Sequence, residues 1–256
     1  PCPFVLESID IDLSEKNTSE KRKPITQVIN EAKIEYENAQ TIQTEQIEFG
    51  YISPSSFHEN KEDILQTSTQ NKYFKNPQIQ IDNIIQSFKN NEFGYDSFGT
   101  IAHAFAESIF TKQTPNIPSY LTQALSEKQK SQIFEEAQNM AQLFYDSELG
   151  NLAKQSDWTQ NEYDFKLLVK QNSKIGNVEF DKQKIIKGQI DLVFRNPNKP
   201  EEYIIVDFKT DTEEIPEIHK NQLEIYRLAV SKFKTTNLSN VKCYLFYFRS
   251  GHYVEI

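Results

Sequence analysis

Cysteine is nearly absent from this chain: Cys2 and Cys243 are the only two in 256 residues. Two thiols so far apart cannot supply a four-cysteine zinc or iron–sulfur site, and they are poor material for a disulfide framework. A reducing cytoplasm is therefore the expected setting. Glycine is scarce as well, with 7 residues, which excludes a glycine-rich low-complexity chain. No apolar run approaches the roughly 20 residues that a membrane-spanning helix needs, and no signal-peptide pattern is present. A G-x-x-x-x-G-K-[ST] loop is also missing, so no bound nucleotide is expected in this stretch. The first residue is Pro1, not Met, and the chain is expected to be a piece of something longer or a processed product.

What is present favours a folded chain. Hydrophobic residues make up 37% and aromatics 12%, with 18 Phe and 12 Tyr, enough to bury a sizeable core. The formal net charge is −9, but it is unevenly spread. Residues 1–60 hold 5 Lys/Arg against 11 Asp/Glu, whereas the other 23 basic and 26 acidic residues nearly balance. Carboxylates gathered around a cation lower the net charge without repelling a polyanion, so bulk acidity excludes neither nucleic acid nor metal.

Residues 1–23 lack a sustained period and read as a lead-in. Residues 24–47 have the spacing of a polar helix, with Ile25, Val28, Ile29, Ala32, Ile34 and Tyr36 in step. The S-P-S-S run at 53–56 carries an N-cap and first-turn proline signature. A boundary near residue 50 then separates a lead-in or linker (1–50) from a domain over 51–256. Within that domain the spacing predicts a helix over 97–111, buried on Ile101, Phe105, Ala106, Ile109 and Phe110. A second helix runs from Ser126 to Tyr145 and opens on S-E-K-Q, which resembles a capping box. Three strands follow, "NEYDFKLLVK", "KIIKGQIDLVF" and "EYIIVDFKT". An amphipathic helix over 217–233 comes next, with Ile218, Gln222, Ile225/Tyr226, Ala229 and Phe233 as its stripe. The strand "VKCYLFYFR" closes the pattern. The class is α/β, a mixed sheet flanked by helices.

Strand alternation places Asp207 and Lys209 on one face with Tyr203 and Ile205, opposite Ile204, Val206 and Phe208. On the preceding strand, Ile185, Lys187, Gln189, Asp191 and Val193 share a face, opposite Ile186, Gly188, Ile190, Leu192 and Phe194. A hairpin joining the two strands puts Asp191 beside Asp207. Two carboxylates that close repel unless a cation lies between them, and Mg²⁺ takes oxygen ligands while keeping waters. A lysine alongside can orient or deprotonate a water and stabilise charge on a phosphate. Elsewhere, His103 follows Gly99 by one turn and precedes Glu107 by another, Gln222 and Tyr226 are i,i+4, and Glu162 opens the first strand. Taken singly, each has an ordinary reading: a solvated strand-end acid, a surface ion pair, a satisfied histidine, the polar edge of a packed helix. Asp211, Glu213 and Glu214 read as solvated turn acids.

In order, the chain reads G-x-x-x-H (Gly99, His103), G-x-I-D (Gly188, Ile190, Asp191), D-x-K-T (Asp207, Lys209, Thr210) and Q-x-x-x-Y (Gln222, Tyr226). This succession resembles the RecB-type branch of the PD-(D/E)XK nuclease superfamily over roughly residues 95–250. More narrowly, it resembles the C-terminal nuclease domain of AddA- or RecB-like (UvrD-type) helicase-nuclease subunits. The resemblance implies a restriction-endonuclease-like mixed sheet, here with an additional mainly helical N-terminal segment. It implies Mg²⁺, replaceable by Mn²⁺, held by His103, Asp191, Asp207 and the Phe208 backbone carbonyl, with Lys209, Asp207 and Asp191 as the catalytic set. Gln222 and Tyr226 would position DNA, Glu107 would orient His103, and Glu162 loosely matches an acid preceding the first strand in such domains. The implied reaction is phosphodiester hydrolysis of DNA by a metal-activated water, exonuclease rather than endonuclease. The implied substrate is a single strand fed by an attached helicase during double-strand break processing and recombinational repair. Implied partners are an upstream helicase region and an AddB- or RecC-like subunit. Many relatives carry four cysteines for an iron–sulfur cluster, one just after an S-P-S-S-like segment. Here "SPSSFHENKEDIL" has none, so no iron–sulfur cluster is expected. Two alternatives keep the fold: a catalytically silent DNA-binding or structural module, and a stand-alone CRISPR-associated or restriction-type exonuclease. A silent copy would have lost a ligand or the lysine, and here all are present.

Overall fold

β-Branched and aromatic residues from Thr159 onward build a mixed sheet whose central strand is divided along one edge, and that division positions the candidate site. In this computed structural model the described residues are 51–59, 81, 84–86, 94–211 and 213–256. The lead-in 1–50 and the helix expected over 24–47 lie outside them. The strands are β1 (Tyr51–Ile52), β2 (Thr159–Val169), β3 (Ser173–Ile175), β4 (Val178–Phe180), β5 (Lys184–Arg195), β6 (Tyr203–Lys209), β7 (Val241–Tyr247) and β8 (His252–Glu255). Among the described residues the α-helices of eight or more residues are α1 (Gly94–Thr111), α2 (Glu127–Asp146), α3 (Glu148–Gln155) and α4 (Pro216–Lys234).

The main sheet runs β1-β5-β6-β7-β8, with β2 also on β5, while β3 and β4 pair separately. β2 lies antiparallel along β5 from Lys184 to Phe194. The other edge of β5 is shared: β1 pairs in parallel at Ile185 and Ile186, and β6 pairs antiparallel from Leu192 to Arg195. β6 and β7 are parallel, which requires a crossover, and α4 supplies it.

The two faces of the sheet carry two cores. Ile204, Val206 and Phe208 of β6 pack with Phe98, Ile101 and Ala106 of α1 and with Ile133, Met140 and Phe144 of α2. Ile205 packs on the other side with Leu223, Ile225, Tyr226 and Ala229 of α4. Each such buried aliphatic or aromatic side chain contributes about 1.5–3 kcal/mol. Strict alternation on β6 thus sets both faces as expected.

β5 departs from expectation. Ile186 and Ile190 join the α4 core, whereas Leu192 and Phe194 join the α1/α2 core, so the face expected to hold all four is split at Asp191. Opposite this point Glu162 has a left-handed backbone (φ 47) and its rung drops out of the β2–β5 ladder. A non-glycine residue in that region breaks the pleat and swivels the strand pair locally.

α1 begins at Gly94, before the expected residue 97, and buries Phe98 and Ala102 besides Ile101 and Ala106. Phe105, Ile109 and Phe110 pack against this core while only partly buried. The Ser126–Gln129 capping box opens α2 as read from the sequence. S-P-S-S forms only a 3-10 turn, Pro54–Phe57, in which Ser53 caps nothing with its side chain and its hydroxyl meets that of Ser55 at 2.7 Å. Phe233 does not join the buried stripe of α4: it is 49% exposed, edge-on to Tyr163 at the end of the helix. Glu214 is not a solvated turn acid either. It is 5% exposed and accepts hydrogen bonds from Ser250 Oγ (2.6 Å) and His252 Nδ1 (2.7 Å), which tie it to the β7–β8 hairpin. Among the described residues no helix is long and apolar enough to cross a membrane.

Candidate active site

α1, β2, β5 and β6 bring their polar residues to one cavity of about 760 Å³, lined by His103, Glu107, Glu162, Asp191, Phe208 and Lys209 among others. Two close approaches hold these elements in place. A Cβ on Gly99 would sit 3.2 Å from Thr210 Oγ1, and one on Gly188 would come within 2.7 Å of Phe165 and Pro54. Glycine at the head of G-x-x-x-H admits the threonine of D-x-K-T, and glycine in G-x-I-D admits the proline of the 3-10 turn.

The open half of the site is built around Asp191. Its Oδ1 lies 3.3 Å from His103 Nδ1, and its Oδ2 accepts the Phe208 N–H at 2.7 Å where the β5–β6 ladder stops. Continuing that ladder by one rung sets Asp191 opposite Asp207. The His103 ring packs edge-on against Phe208 and Phe248. Glu162 reaches the same point from β2, so that one ligand atom each from His103, Glu162 and Asp191 lie within 4.8 Å of one another.

Burial disfavours ionisation of Glu162 and the Asp191 charge adds to it, holding the carboxyl up at about 7. Desolvation works against the partly buried Asp191 carboxylate, yet His103, the Phe208 N–H and Lys209 together hold it below the usual carboxylate range. Burial likewise works against a charged His103, but the Asp191 carboxylate prevails and raises it above its ordinary value. One imidazole nitrogen and two crowded carboxylates facing an open cavity fit a divalent cation.

The other half is closed. Asp207 is 2% exposed, and Lys209 Nζ lies 2.8 Å from its Oδ2. The approach is bent, so that this buried oxygen has no aligned hydrogen bond. Burial pushes Asp207 up despite Lys209, while the charges of Asp207 and Asp191 overcome burial to keep Lys209 above its ordinary value. Lys209 Nζ also donates to Gln222 Oε1 at 3.3 Å, and Gln222 Nε2 donates to the Tyr226 hydroxyl at 2.9 Å. His58 Nε2 meets the same Gln222 oxygen at 3.1 Å. A second cavity, of about 360 Å³, touches Lys209 from this side, lined by His58, Asp211 and His219.

His103, Asp191 and Glu162 therefore come together, and Asp207 pairs with Lys209 instead of joining that 4.8 Å cluster. Gln222 and Tyr226 are buried behind Lys209 and do not line the larger cavity. Glu107 does line it, but no hydrogen bond joins it to His103, whose ring nitrogen faces Asp191. Glu162 carries more of the site than its place at a strand opening announced. His58 went unmarked in the sequence; its one signal was its position directly after S-P-S-S-F.

Comparison with known proteins bears on the family of the chain. A relative from Syntrophomonas wolfei, described as an ATP-dependent helicase/nuclease subunit, is 26% identical over 170 residues, which cover 62% of this chain. The match spans only 13% of that protein's length. A solved structure, SSO0001, aligns over 62% of this chain and 64% of its own at 19% identity, with a TM-score of 0.27. Residues 72–254 match the family described as the PD-(D/E)XK nuclease superfamily. That match covers most of the chain and includes every element around the cavity, and the chain belongs to the PD-(D/E)XK nuclease superfamily.

Proposed function

We propose that this chain is a Mg²⁺-dependent deoxyribonuclease of the cytoplasm. It acts as an exonuclease on a single strand fed by an attached helicase, in double-strand break processing and recombinational repair. The observation that carries the chemistry is the cluster of His103, Glu162 and Asp191 on the same cavity as Lys209. The likeness to a helicase/nuclease subunit supports the helicase connection and a partner subunit, which in this reading is AddB- or RecC-like.

His103, Glu162 and Asp191 would hold the cation. Asp207, with an oxygen that lacks an aligned donor, and the Phe208 carbonyl complete the proposed ligand set. A cation bound there supplies Lewis-acid stabilisation of the scissile phosphate and activation of water. Lys209 presents an ammonium to the cavity, where it steadies the attacking water and the charge that develops on phosphate. Asp207 keeps Lys209 charged and aimed. Gln222 and Tyr226 serve the DNA by fixing Lys209 from behind, since both are buried and already hydrogen-bonded to each other.

The test is digestion of end-labelled single- and double-stranded DNA in Mg²⁺ by wild type, Asp207→Ala and Lys209→Ala, alone and joined to a helicase region. Wild type is expected to degrade the single strand and both variants to fail. Intact DNA in every wild-type reaction sinks the nuclease reading. Variants as active as wild type sink the site assignment.

A further inference from the structure

The outer face of the β2–β5 ribbon carries a second feature that the site does not use. Lys166 and Lys187 are direct cross-strand partners, and both are exposed. Like charges placed opposite each other on a sheet destabilise it, and among the described residues no ion pair relieves either one. The pair occupies a defined place in a series of rungs. Two rungs toward the cavity, next on the same face, stand Asp164 and Gln189, and Gln189 lines the cavity with Glu162 and Asp191. Two rungs away from it, again on the same face, stand Leu168 and Ile185, with Tyr51 of β1 beside Ile185 on the divided edge. Tyr51 is 64% exposed and Leu168 49%. The Lys166 ammonium lies 5.9 Å from the centre of the Tyr51 ring.

We propose that Lys166, Lys187 and Tyr51 form a track for the polynucleotide strand, outside the cleavage site and continuous with it. This inference rests on the nuclease reading and adds the surface that holds the strand beyond the scissile phosphate. Alternating residues of β5 carry the track: Lys187 is four residues from Asp191, about 13 Å along a strand, so the two lysines receive a phosphate a few nucleotides from the cut. Tyr51, with Leu168 and Ile185 beside it, offers an apolar face on which a base stacks. A polynucleotide is the occupant that fits, because it brings both the anion that neutralises the lysine pair and the ring that covers the tyrosine.

The experiment measures binding of a fluorescent single-stranded oligonucleotide to the whole chain by anisotropy across a series of KCl concentrations, with Ca²⁺ replacing Mg²⁺ to keep the strand intact. Neutralising two phosphate contacts contributes about 0.7 each to the slope of log K against log salt for a single strand. The double variant Lys166→Ala/Lys187→Ala is expected to flatten that slope by about 1.4 while its melting temperature holds or rises. Tyr51→Ala is expected to weaken binding at every salt concentration and leave the slope unchanged. Lys128→Ala/Lys130→Ala on α2 should change neither. If wild type cuts DNA and its slope is unmoved by the double substitution, the track is overturned and the nuclease reading stands. If wild type binds with the slope dependent on these lysines yet never cuts, the track stands and the nuclease reading fails. A wild type that neither binds nor cuts overturns both.

Discussion

The two halves of the site are built on opposite plans. His103, Glu162 and Asp191 come from three separate elements, meet where β5 changes face, and look onto the larger cavity. Asp207, Lys209, Gln222 and Tyr226 come from one regular strand and one regular helix, and form a chain of contacts running into the core. The open half has spare ligand atoms and a carboxyl held up at about 7. The closed half has its charges already paired. In the proposed site most of the cation's ligands come from irregular backbone, with Asp207 reaching it from the regular strand, while regular backbone aims Lys209.

Substitutions that separate the halves test this contrast. Asp191→Ala removes the residue that touches both, through His103 and through the Phe208 N–H. A loss of about 10³-fold in kcat/KM is expected, together with loss of Mn²⁺ binding by calorimetry. Lys209→Met is expected to lower kcat by about 10²- to 10³-fold while Mn²⁺ still binds; a parallel loss of metal would merge the two halves into one. Gly188→Ala addresses what holds them together, since its Cβ would press on Phe165 and Pro54. Overpacking of this kind costs about 1–3 kcal/mol, to be read as a fall in unfolding free energy in urea. The smallest effect belongs to His58→Ala, which removes one neutral hydrogen bond from Gln222. Such a bond is worth about 0.5–1.5 kcal/mol, so kcat should fall about tenfold at most with KM for DNA unchanged.

The same contrast explains what could be read in advance. Seven alternating residues of β6 gave the shared face of Asp207 and Lys209 directly, and the i,i+4 spacing on α4 gave Gln222 and Tyr226. The helix bearing His103 was equally plain. Glu162 is hard to place from sequence because its left-handed backbone breaks the direction that alternation assigns. The change of face at Asp191 was hidden for the same reason. Glu214 looked like one of several turn acids because its partners, Ser250 and His252, lie far along the chain. β1, β3, β4 and β8 hold two to four residues each, too few for any period to show.

The division of labour is tested most directly by anomalous scattering from crystals soaked in Mn²⁺, comparing wild type with Asp191→Ala. The expected result is one strong peak in the larger cavity, at bonding distance from His103, Glu162 and Asp191, present in wild type and lost in the variant. No peak there, or a peak in the smaller cavity beside His58 and His219 instead, would contradict it.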